Sequence, residues 1–136
     1  MAAEPEIVLP RMRLVVIGGD GRAHPFEVEV ASRPVEHARG LMWRATLPEG
    51  TGMLFDFGRP RPVAMWMKDT LIPLDMLFID GGGRVVKVAA DTVPLSLDLI
   101  ESREMVRMVL ELAGGTAARL GIGPGARVDH PAFRSR

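Results

Sequence analysis

Apolar positions in this chain come in short runs broken by glycine and proline, not in long stripes of helical period. Arg13–Ile17 is rich in β-branched residues. Gly18-Gly19-Asp20-Gly21 turns the chain, and Phe26, Val28 and Val30 then alternate with Glu27 and Glu29. That pattern predicts a hairpin whose second strand has one wet face. Ser32 and Pro34 open a predicted helix, Val35–Trp43, with an apolar face from Val35 through Ala38 to Leu41 and Met42. Gly40 falls inside it and reads as a close-packing position. Pro48–Gly52 is a turn, and Met53–Phe57 predicts a strand with Met53, Phe55 and Phe57 on one face. Gly58–Pro62 reads as a loop. Val63–Met67, Leu74–Ile79 and Arg84–Ala90 predict three more strands, the last two joined by Asp80-Gly81-Gly82-Gly83. Pro94–Ser102 has no clean period and is expected to be loop. Val106–Leu112 predicts a strand, Thr116–Leu120 one helical turn ended by Gly121, and Arg127-Val128 a final short strand. His130–Arg136 is expected to be a loose tail.

Seven or eight short strands separated by turns, with one or two short helices, argue against a parallel α/β sheet. The expected class is mostly β: a single-domain antiparallel β-sandwich or barrel. Residues 1–12 read as an N-terminal arm, 13–128 as the domain and 129–136 as a C-terminal tail. A chain of 136 residues is long enough to bury one core without staples.

Charge and composition narrow the chemistry. Seventeen basic residues balance seventeen acidic ones, so the basic excess of a nucleic-acid binder is missing, and no nucleic-acid partner is expected. The chain has no cysteine, which excludes disulfides, thiol catalysis and thiolate metal sites. His24, His37 and His130 have no ligand spacing, so no histidine-centred metal site is expected, and no cofactor is expected either. There is no Gly-x-Ser-x-Gly elbow, and Gly81–Gly83 lacks the Lys-Ser/Thr of a phosphate loop. No apolar run reaches the roughly 18 residues of a membrane span. Ala2-Ala3-Glu4-Pro5 looks like the remainder of cleavage at a small-residue site. The expectation is a periplasmic or secreted home if Met1 replaces a removed signal peptide, and a cytoplasmic one otherwise.

The densest polar cluster is Trp66-Met67-Lys68-Asp69-Thr70-Leu71-Ile72-Pro73-Leu74-Asp75, between two apolar strands. Strand alternation puts Trp66 and Lys68 on one face and Met65 and Met67 on the other. Trp66 reads first as core and alternatively as an aromatic wall for a ligand. Lys68 and Asp69 read first as a solvated turn and alternatively as an anion site. Asp75 lies inside an apolar run, where a bare carboxylate would cost several kcal/mol. It is therefore expected to tie down a loop through backbone N–H groups or an arginine, with a general base as the second reading. Trp43 reads as core. Arg39 and Arg44 frame Leu41-Met42-Trp43 and are expected in solvent, or else reaching an acidic site. Glu111, between Leu110 and Leu112, is expected on the wet face of its strand; facing inward, it would pair with an arginine or with Lys68.

Several segments match one pattern: Gly40-Leu41-Met42-Trp43-Arg44, Leu47-Pro48-Glu49-Gly50-Thr51-Gly52-Met53-Leu54-Phe55, Met65 through Asp80, Val109-Leu110-Glu111-Leu112-Ala113-Gly114-Gly115 and Leu120-Gly121-Ile122. Together they resemble the domain-of-unknown-function 192 family of small bacterial and archaeal proteins, over about Arg13 to Val128. The resemblance implies a sandwich of jelly-roll type, and an extracytoplasmic home for many members. It supplies no catalytic residues. The Pro94–Glu104 stretch departs from the commoner forms of the family.

Three functions follow as expectations. The first is a small extracytoplasmic binding module for a polar or anionic ligand, with Arg39, Arg44, Trp66, Lys68, Asp69, Asp75 and Glu111 as candidate binding residues. The second is a structural or partner-binding envelope protein, acting as a monomer or weak dimer. The third is a metal-independent hydrolase or lyase that needs Asp75 and Glu111 to converge.

Overall fold

The computed structural model describes residues 8–134. Nine strands and two short helices follow in the order β1 (Arg11–Ile17), β2 (Ala23–Ala31), α1 (Pro34–Arg39), β3 (Thr51–Arg61), β4 (Ala64–Met65), β5 (Leu74–Ile79), β6 (Val85–Ala89), β7 (Ile100–Glu101), β8 (Val106–Ala113), α2 (Thr116–Leu120) and β9 (Arg127–Asp129). Seven strands form one sheet, β6-β5-β8-β3-β2-β1-β9, while β4 and β7 pair separately. The sheet curls on itself. The β6 and β9 ends meet where the Val85 N–H donates to the Ala126 carbonyl (2.8 Å) and the Val128 N–H to the Gly83 carbonyl (2.8 Å). Such closure leaves fewer open strand edges. The mostly-β barrel or sandwich class holds, with one departure: β2 and β3 run parallel. A parallel neighbour needs a long crossover, and residues 32–50, carrying α1, provide it.

Two apolar clusters lie on the two faces of this sheet. One fills the barrel interior with Leu14, Phe26, Val28, Leu54, Leu77, Met108 and Leu110, and Ala117 and Ile122 close its end. The other lies outside the barrel, around Leu41, Met53, Phe55, Met67, Met76, Phe78 and Val109. The central strands β5 and β8 are therefore buried on both sides, which explains their nearly unbroken apolar runs. The layer over the outer cluster is α1, the segment after it, and the β4–β7 pair.

That layer is where the sequence reading needs correcting. The helix stops at Arg39, because Gly40 takes φ 48° and ψ −131°, a conformation that interrupts helix and suits glycine. It turns Glu36 inward and leaves Val35 exposed, the reverse of the expected face. Glu36 accepts from the Ser32 and Arg33 N–H groups (both 3.0 Å), closing a capping box that holds its carboxyl below the usual carboxylate range. β3 runs through the expected loop to Arg61, Val63–Met67 keeps only Ala64–Met65 as strand, and the expected loop at Pro94–Ser102 contains β7. In the expected tail, Pro131–Phe133 forms a 3-10 turn and Phe133 packs against the barrel cluster; Ser135 and Arg136 lie outside the described residues. Most of the expected arm, Met1–Ile7 with Ala2–Pro5, also lies outside them.

Candidate functional site

Asp75 is fully buried, and it resolves as the structural tether. Its carboxylate accepts from the backbone N–H groups of Asp91 (2.9 Å), Gly115 (3.2 Å) and Ala117 (2.8 Å). One side chain thereby ties the β6–β7 connection and the start of α2 to β5. Buried backbone donors need partners, and this carboxylate supplies three.

Its neighbours in the signature segment do different work. Thr70 is buried and its hydroxyl donates to the Lys68 carbonyl (3.1 Å). Asp69 takes φ 54°, and its carbonyl accepts from the Trp43 N–H (2.9 Å). Asp69 thus joins the segment to the chain that follows α1 through its backbone. Trp43 is 57% exposed, contrary to the core reading. Trp66 is also no core residue: it is 43% exposed, with the Lys68 ammonium 5.3 Å from its ring centre.

Beneath Trp66 and Lys68 lies a cavity of about 230 Å³. His37, Arg39, Leu41, Met42, Phe55, Phe57, Met65, Thr70 and Glu111 complete its main walls. His37 donates through Nε2 to the Ala31 carbonyl (2.9 Å) and packs its ring, tilted by 50°, with its centre 4.7 Å from that of Phe57, so it belongs to the wall. Four of the predicted residues, Arg39, Trp66, Lys68 and Glu111, converge here from three separate parts of the chain. Arg44 does not. It forks onto Glu29 (Nη2 to Oε1, 2.9 Å), whose carboxyl it holds below the usual range, in a neighbouring depression shared with Arg11, Arg39 and Trp43.

Glu111 overturns its expectation most clearly. It sits opposite Met53 of β3 and Met76 of β5, on the outer face of β8, and only 4% of it is exposed. The covering layer buries that face except where the cavity reaches it. Its carboxyl makes no hydrogen bond or ion pair with a described residue, so neither the expected arginine nor Lys68 pairs with it. Burial without a cation pushes its pKa up to about 8. Asp75 pairs with Leu112, next to Glu111 on β8, so the two carboxylates point to opposite faces. The paired-carboxylate hydrolase or lyase has no geometry to work with.

His37, Phe55, Phe57 and Met65 are cavity residues that the sequence reading missed as site residues. Only the alternation of Phe55 and Phe57 hinted at a shared face; nothing in the sequence linked that face to residues 66–68. Among the described residues no three His, Asp or Glu side chains converge as a metal site would require.

Comparison with known proteins agrees on the fold. The chain is similar over 94% of its length to the crystal structure of a candidate transcription regulator from Sinorhizobium meliloti 1021, at 44% identity and a TM-score of 0.91, covering 99% of that chain. It is also similar to a protein of unknown function from Novosphingobium aromaticivorans DSM 12444, at 38% identity and a TM-score of 0.88, over 95% of this chain and 91% of the other. None of the curated proteins matches. The model of the domain of unknown function 192, described as "Uncharacterized ACR", matches residues 15–130, the span that contains every strand from β2 to β9 and all of the cavity. The chain belongs to the domain-of-unknown-function 192 family.

Proposed function

We propose that this protein is a small ligand-binding module whose site is the cavity between α1 and the Trp66–Thr70 segment, and that its ligand is a small polar or anionic molecule. The observation that carries this reading is Glu111. A protein rarely buries a carboxyl group without a partner, because desolvation costs several kcal/mol. Here the group borders open space rimmed by Arg39 and Lys68 and walled by apolar and aromatic side chains, the usual make-up of a small-molecule site. A thermal-shift panel of sugars, phosphates and carboxylates tests it. A ligand at 100 times its Kd adds about 2.7 kcal/mol and raises Tm by several degrees. That rise should vanish in Lys68→Ala and Trp66→Ala; silence across the panel would sink the reading.

The regulator description of the Sinorhizobium protein does not transfer well. The formal net charge of this chain is +0, and α1 and α2 have six and five residues, too short for a recognition helix in a major groove. No helix among the described residues is long and apolar enough to cross a membrane. An extracytoplasmic home belongs to the proposal on the family resemblance alone; fractionation of cells expressing the full gene tests it.

One observation favours a second reading, partner binding. Between β6 and β7 the alternation is inside out: Thr92 is buried while Val93, Leu95, Leu97 and Leu99 are 57–68% exposed. Leu95 also takes φ 67°, a strained value for leucine. Exposed aliphatic side chains in a row mark contact surfaces more often than chance. Sedimentation of the wild type beside Leu97→Asn/Leu99→Asn tests this. A concentration-dependent association lost in the double variant supports it, and an ideal monomer at all concentrations removes self-association.

A further inference from the structure

The cavity has different chemistry at its two ends. Glu111 lies at the floor, 4% exposed and with no hydrogen-bond or ion-pair partner among the described residues, flanked by Met53 and Met76. Lys68, exposed and resting over the half-exposed Trp66, stands at the mouth, and the partly exposed Arg39 lines the wall. Leu41, Met42, Phe55, Phe57 and Met65 line the space between. A cavity of about 150 Å³ is enough for a benzene molecule, so about 230 Å³ admits a body of that size with a polar group at each end.

We propose that the cavity accepts a short organic acid whose carboxylate lies at the mouth and whose other end carries an uncharged carbonyl or hydroxyl oxygen, which accepts a hydrogen bond from the carboxyl of Glu111. This rests on the reading of the cavity as a ligand site and goes further by naming the ligand class. The carboxylate belongs outside because the exposed Lys68 ammonium is there. The inner oxygen must be uncharged because a second anion would enter a desolvated floor with nothing to neutralise it. The inner oxygen must also be present, since an apolar end would leave the Glu111 hydroxyl unpaired. The ionisable groups facing Glu111 are His37 and Arg39 from α1 and Lys68 from the covering segment; β3 and β5 present apolar side chains. No ion pair with a described residue holds the carboxyl ionised, and burial raises its pKa to about 8, so it is a donor below that and stops being one above it.

The test is calorimetric titration of the full chain with 4-oxopentanoate and 5-oxohexanoate, each beside its alkyl counterpart, 4-methylpentanoate and 5-methylhexanoate. All four stay anionic from pH 6.5 to 9. At pH 6.5 one oxo-acid should bind about tenfold or more tighter than its counterpart, and the preference should disappear at pH 9. Glu111→Gln keeps a donor that does not titrate, so it should retain the preference at both pH values. Glu111→Leu should lose it at both. A pH 9 loss that persists in Glu111→Gln would assign the effect to another group and overturn the role of Glu111. Equal binding of oxo and alkyl acids at pH 6.5 would overturn the ligand class. Silence for all four acids, with a sugar or phosphate from the broad panel binding in a Trp66-dependent way, would overturn the class and leave the cavity reading standing. Silence for everything would overturn both.

Discussion

Replacing Glu111 by glutamine should stabilise this protein, by an amount that grows with pH. In the unfolded chain the carboxyl ionises near 4.5; in the fold, burial without a cation raises that to about 8. Between those values the folded state holds a proton that the unfolded state has released. Stability from this group is therefore fully present below about pH 4.5 and is lost as pH rises through about 8. The two values lie about 3.5 pH units apart, and each unit corresponds to about 1.4 kcal/mol, so the whole loss is about 5 kcal/mol, with about 3 kcal/mol already gone at pH 7. Glutamine has nearly the same shape and does not titrate. Any fixed difference in packing between the two side chains cancels when the variant's advantage is compared across pH. Urea unfolding of both proteins at pH 5, 7 and 9 and constant ionic strength measures it. The advantage of Glu111→Gln should be small at pH 5 and several kcal/mol larger at pH 9, with unchanged slopes. An advantage that stays constant from pH 5 to 9 would refute the reasoning, because it would mean that Glu111 titrates alike in both states and is neither dry nor alone.

Three further predictions concern the cavity wall and the contacts around it. Asp75→Ala strands three backbone donors, which should cost about 3 kcal/mol or more and lower Tm on the order of 10 °C; an unchanged Tm would deny the tether. Gly40→Ala forces a side chain into φ 48° with its Cβ 3.2 Å from Phe55 Cζ; it should lose at least about 1 kcal/mol in urea unfolding, and wild-type stability would show that the turn relaxes freely. Arg44→Ala frees Glu29 from the group that lowers its pKa. The pair's contribution is present above about pH 4.5 and is lost as the pH falls through the lowered pKa of Glu29, so the variant should be less stable at pH 7, by about 1 kcal/mol given partial exposure, and the difference should shrink on acidification; a difference that does not change with pH would deny the ion pair.

Much of the frame could be read directly from the sequence. Gly18–Gly21 and Asp80–Gly83 flanked by β-branched or alternating runs specify hairpins through local backbone preferences, so β1–β2 and β5–β6 fall where expected. Asp75 was readable as a tether because a carboxylate in an apolar run has few affordable fates. The residues of residues 65–80 and 109–115 were distinctive enough to point to the family. Glu111 was different. Leucines on both sides of it, at 110 and 112, say nothing about which face is dry, because β8 is covered on both sides, and the cover over the outer face comes from α1 and β4, far away in sequence. The helix end at Gly40 and the exposure of Trp43 and Trp66 were hidden for the same reason: each depends on how that outer layer sits on the sheet. Local patterning determined most of the long strands, the hairpin turns and the identity of the family. Only the tertiary structure, by laying one covering segment across the outer face of a sheet already buried within, decided that Arg39, Trp66, Lys68 and Glu111 share a cavity and that the carboxyl at its floor keeps its proton.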